Sequence, residues 1–360
     1  MPSVTQITNS LSASVSSGGV EIVVRVWQKA FDKLNFKSYV LAMCDKNDLP
    51  SEYGKKDFKL IECKSNPKNP WLRFNIRALT EVFRSVSKSD QLLIHFCKDI
   101  FTNSAALLAI MMRKNFAIQS HGMINLDKES KLSKYYLIFI LRRAKMIFTL
   151  TKEESENFRK RNLHNICEID NPIEFSEVSD VTRRKVIVFI GRFHERKRPE
   201  MAIEAMTEVI KHYPDYLLLM YGPESSYKEK MKLLVKNRDM ENYVQIREAI
   251  SNYDAKVLLS ESSIFLLPSF GEIFPMAMIE AMLYKCPVIC GTDNGLYEKI
   301  RDFNLVLTAD TASELSLQIL NVLSSTEIRT KMIENSFFWV TQNCNSTILA
   351  TKILQILDKR

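Results

Sequence analysis

Four basic side chains fall within seven residues in Gly191-Arg192-Phe193-His194-Glu195-Arg196-Lys197-Arg198, directly after the apolar run Val186–Ile190. An arginine offers a planar fork of donors and a lysine a compact charge, and both suit a diphosphate. Arg192 leaves the end of the apolar run. Lys197 comes back near a helix that opens at Pro199, a favoured first helical residue. A solvated basic loop is the plain alternative, and it is the reading for Arg196 and Arg198. A second loop, Pro268-Ser269-Phe270-Gly271-Glu272-Ile273-Phe274-Pro275, ends another apolar run and precedes a helix from Met276 to Leu283, with Pro275 expected at its first position. Glu272 lies in that loop and Glu280 two helical turns further on. Two carboxylates at the mouth of a basic site can hold sugar hydroxyls or a ribose. The free amides of the first helical turn, near Met276 and Ala277, can face a phosphate. A surface position on the helix is the alternative for Glu280.

Two elements of the first half have similar potential. In Gln119-Ser120-His121-Gly122, His121 follows a strand and precedes a glycine. His95 also ends a strand and is read as structural, while His164, His194 and His212 are read as surface residues. Gly18-Gly19 follows the first strand and precedes a helix, where a backbone without Cβ atoms can approach an anion closely. A plain turn is the other reading. The pair is not a Gly-x-Gly-x-x-Gly fingerprint, which disfavours a dinucleotide.

Such loops need strands to carry them. Short apolar runs alternate with amphipathic stretches of helical spacing, the pattern of repeated β-α units around a parallel sheet. Strands are expected near Val4–Thr8, Ser38–Met43, Phe58–Glu62, Leu92–Phe96, Ala117–Ser120 and Met146–Leu150. Helices are expected over Val20–Leu34, Leu72–Ser87, Thr102–Met112, Lys131–Arg143 and Lys152–Arg161. The stretch 170–184 turns polar and contains Asn171-Pro172, a turn signal. A second series follows through Val186–Ile190, Tyr216–Met220, Val244–Ile246, Ile264–Leu267 and Val288–Ile289. Val-Ile-Val-Phe-Ile is apolar throughout, as a strand buried on both faces should be. The expected organisation is α/β, with two doubly wound domains facing across a cleft: residues 1–172, residues 173–345, and a last helix, 346–360, that packs back on the first domain. Ligands of open α/β sheets bind at the carboxyl ends of strands, where all the loops above lie.

Composition narrows the partners. The chain has 360 residues, 46% hydrophobic and 26% charged, an ordinary globular balance that excludes general disorder. No apolar run reaches the roughly 18 residues of a membrane span, and no signal-peptide pattern opens the sequence. Seven cysteines without a Cys-x-x-Cys pair read as free thiols, and zinc is not expected. Of the net charge of +8, residues 1–172 carry +10 and the remainder −2. The basic half calls for an anionic partner: nucleic acid, lipid headgroups or a phosphorylated substrate. Without zinc-finger spacing, an RNA-recognition aromatic pattern or a basic heptad region, nucleic acid is set aside.

Taken together, Gly191-Arg192…Lys197, Leu267-Pro268-Ser269-Phe270-x-Glu272-x-Phe274-Pro275-x₄-Glu280-Ala281 and Pro287-Val288-Ile289 resemble the donor domain of retaining GT-B glycosyltransferases of family 4, the group 1 glycosyl transferases. Gly18-Gly19-Val20-Glu21 and Ser120-His121-Gly122-Met123 resemble that family's acceptor-side motifs. The resemblance implies that Arg192 and Lys197 grip the donor diphosphate and that Glu272 lies near the transferred sugar. Amides around Phe274, Met276 and Ala277 would touch sugar hydroxyls and phosphate, and Glu280 the ribose. His121 would approach the sugar from the first domain, Gly18 and Gly19 would let that domain close over the phosphates, and Arg247 would lie near the base. Three positions depart from the family pattern, which often has glycine there: Ile273, Arg198 and Cys286. A side chain at Ile273 is expected to narrow the sugar pocket.

The expected activity is transfer of a sugar from a nucleotide diphosphate sugar to a hydroxyl, with retained configuration. The acceptor is expected to be a lipid-linked oligosaccharide or a surface polysaccharide precursor, carried on a polyprenyl diphosphate. No Asp-x-Asp occurs in the sequence, and the basic pair can do a metal's work, so no metal and no other cofactor is expected. A cytoplasmic protein, peripheral on the inner face of the plasma membrane, fits the basic first half. Leu132–Arg143, apolar at its centre and basic at its ends, is the candidate contact, with a buried helix as the alternative. A nucleotide-sugar epimerase or hydrolase of the same architecture and a non-catalytic polyanion- or membrane-binding scaffold are the alternatives.

Overall fold

The computed structural model describes residues 3–12, 19–63, 76–175 and 181–358. The chain forms two compact units, one of residues 1–174 with 345–360 and one of residues 175–344. The first unit holds β1 (Ser3–Ser10), α1 (Gly19–Lys33), β2 (Lys37–Asp45), β3 (Phe58–Cys63), α2 (Ile76–Lys88), β4 (Gln91–His95), α3 (Ile100–Met111), β5 (Asn115–Gln119), α4 (Lys131–Arg143), β6 (Met146–Thr149), α5 (Lys152–Arg159) and β7 (Ile166–Glu168). The second holds β8 (Arg184–Ile190), a 3₁₀ turn at Glu195–Lys197, α6 (Pro199–His212), β9 (Leu217–Tyr221), α7 (Ser226–Asn237), β10 (Val244–Arg247), α8 (Asn252–Glu261), β11 (Ser262–Leu267), α9 (Met276–Leu283), β12 (Val288–Cys290), α10 (Tyr297–Phe303), β13 (Leu307–Thr308), α11 (Ala312–Ser324) and α12 (Thr326–Asn343). The last helix, α13 (Ser346–Asp358), belongs to the first unit, where it packs on α1.

Each unit is a doubly wound parallel sheet. The strand orders are β3-β2-β1-β4-β5-β6-β7 and β10-β9-β8-β11-β12-β13. Both orders reverse direction beside their first strand, between β1 and β4 and between β8 and β11. The crevice above such a switch point is the usual ligand site of the fold. The strands there are apolar on both faces, as helices on both sides demand. Leu92, Leu93 and Ile94 of β4 are fully buried, as are Ile187, Val188 and Phe189 of β8. Side-chain caps start the helices where the sequence supplies them: Asp99 accepts the amides of Phe101 and Thr102 before α3, and Ser225, Ser251 and Thr311 do the same before α7, α8 and α11.

The differences from expectation are local. Ile173 pairs in a parallel bridge with Asn345, which ties the linker and the returning chain to the first unit and moves the boundary two residues past Pro172. Pro275 is the cap rather than the first helical residue, because its ψ of 93° is extended and the helix begins at Met276. The helix expected from Leu72 runs from Ile76 to Lys88, and residues 72–75 lie outside the described residues. The edge strands β7 and β13 were not anticipated. They are three and two residues long, too short to show a period.

Candidate functional site

In the second unit, the loops after β8 and β11 meet at the switch point. Arg192 is exposed at the rim, and the Phe193 ring is buried beside Phe189, with centroids 5.9 Å apart. The 3₁₀ turn brings Lys197 back, and its Nζ lies 2.6 Å from Glu272 Oε1, both side chains mostly shielded from water. Arg192, Phe193, His194, Arg196, Lys197, Pro223, Glu224, Ser225 and Glu272 line an open pocket of about 520 Å³.

Backbone economy holds these loops together. A Cβ on Gly222 would sit 2.2 Å from the Gly191 carbonyl oxygen, and one on Gly291 2.3 Å from that of Ser269, so only glycine permits either approach. The Glu272 carbonyl accepts the Gly295 amide at 2.7 Å, and the Asp293 carboxylate accepts the Gly271 amide at 3.0 Å. Gly271 has φ +66°, a left-handed turn that aims the chain toward Glu272. Arg196 differs from the solvated side chain expected. It donates to the Gly271 carbonyl while its own carbonyl accepts the Phe270 amide at 2.9 Å, so it ties the two loops. Arg198 is likewise engaged, its guanidinium 4.9 Å above the Phe270 ring and bonded to the Asp310 carbonyl.

Beyond the loop, Phe274 and Met276 are buried and Ala277 is half-buried, and α9 starts without a side-chain cap. Glu280 keeps some accessible surface, yet the protein crowded around it pushes its carboxyl up to about 7, with Lys256 pulling the other way. Ile273, expected to narrow a pocket, is 38% exposed. Arg247 ends β10 with its guanidinium 3.1 Å from the Tyr221 hydroxyl. Thus Arg192, Lys197 and Glu272 share one pocket, while Glu280 and Arg247 stand outside its lining.

Lys228 has no counterpart in the sequence reading. It is fully buried, and its ammonium bonds the Gly222 carbonyl at 3.2 Å, Glu224 at 2.6 Å and Glu248 at 2.9 Å. It therefore pins the loop after β9 that forms one pocket wall. Nothing in its helical context, Ser-Tyr-Lys-Glu-Lys, distinguishes it from an exposed charge.

In the first unit, Gly19 opens α1 and is exposed, while Gly18 lies outside the described residues. His121 sits in the loop after β5 with φ +51°, followed by Gly122 at +69°. It is almost fully buried, and burial pushes its imidazole down to about 3. Its Nε2 lies 2.9 Å from His95 Nδ1. The two residues come together because β4 and β5 pair in register, with His95 opposite Gln119. Glu154 of α5 braces the same loop. One of its oxygens accepts the Leu150 amide at 3.1 Å, and burial raises its carboxyl to about 7 against the pull of Ser120, Leu150 and Gly122. The Trp27 indole donates to Gln119, whose amide nitrogen lies 3.2 Å from the Asn171 side-chain oxygen, so the start of the linker is anchored beside this loop.

Residues 170–339 match the family described as Glycosyl transferases group 1, and residues 17–177 match Glycosyltransferase Family 4. Each half of the chain thus matches a glycosyltransferase family model. The chain is 26% identical over 192 residues to the alpha-1,3/1,6-mannosyltransferase alg2 of Schizosaccharomyces pombe, covering 44% of this chain and 38% of that protein. It is 24% identical over 186 residues, half of each chain, to a Campylobacter jejuni alpha-1,4-N-acetyl-D-galactosaminyltransferase named for a diNAcBac-PP-undecaprenol-linked saccharide. The chain thus spans about half the length, or less, of the curated relatives it matches. Among solved structures it is similar to Anabaena Alr3699/HepE in complex with UDP and glucose, with a TM-score of 0.76, 13% identity and 99% of both chains covered. Such likeness establishes the GT-B fold.

Proposed function

We propose that this chain transfers a sugar from a nucleotide diphosphate sugar to a hydroxyl of a saccharide acceptor, with retention of configuration and without a metal. The carrying observation is the Lys197–Glu272 pair, 2.6 Å apart, in one pocket with Arg192 at the switch point of the second sheet. Arg192 and Lys197 bind the diphosphate and stabilise the charge that grows on it as the sugar leaves, and preorganised cations need no reorganisation at that moment. Glu272 holds Lys197 and faces the sugar. The uncapped start of α9, at Phe274, Met276 and Ala277, receives phosphate or sugar oxygens. Glu280 accepts the ribose hydroxyls, and Arg247 lies toward the base. His121 binds a sugar hydroxyl. The UDP named in the Anabaena structure and the mannosyl and N-acetylgalactosaminyl transfer named for the relatives support this reading.

The acceptor in this reading is a polyprenyl-diphosphate-linked oligosaccharide, and the enzyme works at the anionic cytoplasmic face of a membrane. No helix among the described residues is long and apolar enough to cross one. Instead α4 exposes Leu132, Tyr135 and Phe139 on one face between Lys131, Lys134, Arg142 and Arg143. Aromatic side chains and basic ends suit an anionic interface. The test is product analysis with candidate nucleotide sugars and a polyprenyl-diphosphate oligosaccharide, in EDTA. An α-linked product from an α-linked donor is expected. Donor conversion that needs no acceptor, or a product of inverted configuration, contradicts the proposal.

A further inference from the structure

A hydrogen-bond chain runs beneath the first sheet's switch point, and only one direction of donation satisfies it. At its far end, Gln28 Nε2 lies 3.1 Å from the Ser38 carbonyl oxygen, which can only accept. The Gln28 nitrogen is therefore turned that way, and its Oε1 faces Gln6 Nε2 at 3.2 Å. Gln6 consequently presents its Oε1 to His95 Nε2, 3.0 Å away, so His95 donates from Nε2. Both histidines are buried, and burial disfavours their charged forms, His95 being lowered further by its neighbour. A neutral imidazole that donates from Nε2 must accept at Nδ1. The 2.9 Å contact between His95 Nδ1 and His121 Nε2 is then a bond donated by His121.

We infer that Gln28, Gln6 and His95 are positioning residues that hold His121 as the neutral Nε2–H tautomer, leaving Nδ1 as its ring acceptor. His121 then meets a ligand by accepting a hydrogen bond from a sugar hydroxyl rather than by offering a charge to a phosphate. This role rests on the proposed placement of His121 toward the sugar, whereas the tautomer itself rests on the hydrogen bonds alone. Four elements contribute to the relay: β1 (Gln6), α1 (Gln28), β4 (His95) and the loop after β5 (His121). None of the pairs is local in sequence.

The test is long-range proton–nitrogen NMR on the full chain labelled with ¹⁵N at histidine, with signals assigned through His121→Asn. The expected wild-type spectrum shows His121 neutral at pH 7, protonated at Nε2 and bare at Nδ1. Gln6→Glu in its neutral acid form keeps both the donor to Gln28 and an acceptor for His95 and should keep that tautomer. Gln6→Leu removes the acceptor and should leave His121 a mixture of tautomers. Its kcat for sugar transfer should fall roughly five- to tenfold, the loss of one neutral hydrogen bond, with the donor KM nearly unchanged and activity restored in Gln6→Glu. A purely structural role would lower the melting temperature without changing the tautomer. A wild-type His121 protonated at Nδ1 or charged at pH 7, or a Gln6→Leu spectrum identical to wild type, overturns the inference. A correct tautomer in a chain that transfers no sugar leaves the relay standing and removes the functional reading.

Discussion

Glu280 should make the second unit less stable as pH rises, and Glu280→Gln should abolish that dependence. Its carboxyl stands at about 7 against an ordinary value of 4.5, with burial as the main cause. A carboxyl raised by folding binds its proton more tightly in the native state. Its contribution is therefore fully present below pH 4.5 and lost as pH climbs through 7. At about 1.4 kcal/mol per pH unit the full difference is about 3.5 kcal/mol. Water still reaches part of the side chain, which reduces the figure to about 1–2 kcal/mol. Glutamine has the same shape and no charge to desolvate. For a unit of this size, the variant should melt about 2–8 °C above wild type at pH 8 and close to it at pH 4.5. Thermal unfolding at both pH values, followed by a signal from the second unit, is the assay. Glu154 shifts in the same direction in the first unit, so the Glu280→Gln difference must be confined to the second transition. Equal stability gains at pH 4.5 and 8 would mean that the carboxyl is not buried as described. In the proposed function the same carboxylate accepts two ribose hydroxyls. Glu280→Gln should then bind nucleotide diphosphate more weakly while being the more stable protein, a trade common at functional sites.

Lys197→Ala should weaken nucleotide diphosphate binding about ten- to a hundredfold, as expected for a lost charge-assisted bond, and titration calorimetry reads it directly. Glu272→Gln keeps the shape of the pair and should leave nucleotide affinity within about threefold while lowering turnover, because its role is at the sugar. Gly222→Ala places a Cβ against the Gly191 carbonyl oxygen and should cost about 3 kcal/mol in denaturant unfolding. Replacing Leu132, Tyr135 and Phe139 of α4 by serine should abolish flotation with anionic vesicles and leave the melting temperature nearly unchanged, since all three are exposed. Equal flotation of wild type with neutral and anionic vesicles would remove the membrane proposal.

The strand-end loops were legible because a parallel strand buried on both faces is a continuous apolar run, and its end is marked by glycine, charge or proline. Val186–Ile190 followed by Gly191-Arg192 and Ile264–Leu267 followed by Pro268-Ser269 both show this. The contact between Lys197 and Glu272, 75 positions apart, comes from the adjacent strands β8 and β11 and is not visible in either loop alone. What escaped depends on which polar side chains become buried. Lys228 lies on a helix whose pattern is that of any charged surface. Arg196 looks solvated until Gly271 folds over it. His95 acquires meaning only when strand pairing sets it beside His121 and Gln6, contacts that span 26 and 89 residues. The edge strands β7 and β13 carry too few residues for any period, and the sheet beside them supplies their register.

The central claim is a nucleotide diphosphate site built on Arg192 and Lys197, with Glu272 beside it for the sugar. Calorimetric titration of the intact chain with UDP, GDP and ADP, first in EDTA and then with magnesium, tests it most directly. One nucleotide should bind in EDTA, magnesium should change its affinity little, and Arg192→Ala should weaken that binding at least about tenfold. Binding of none of the three, or binding untouched by Arg192→Ala, would contradict the account.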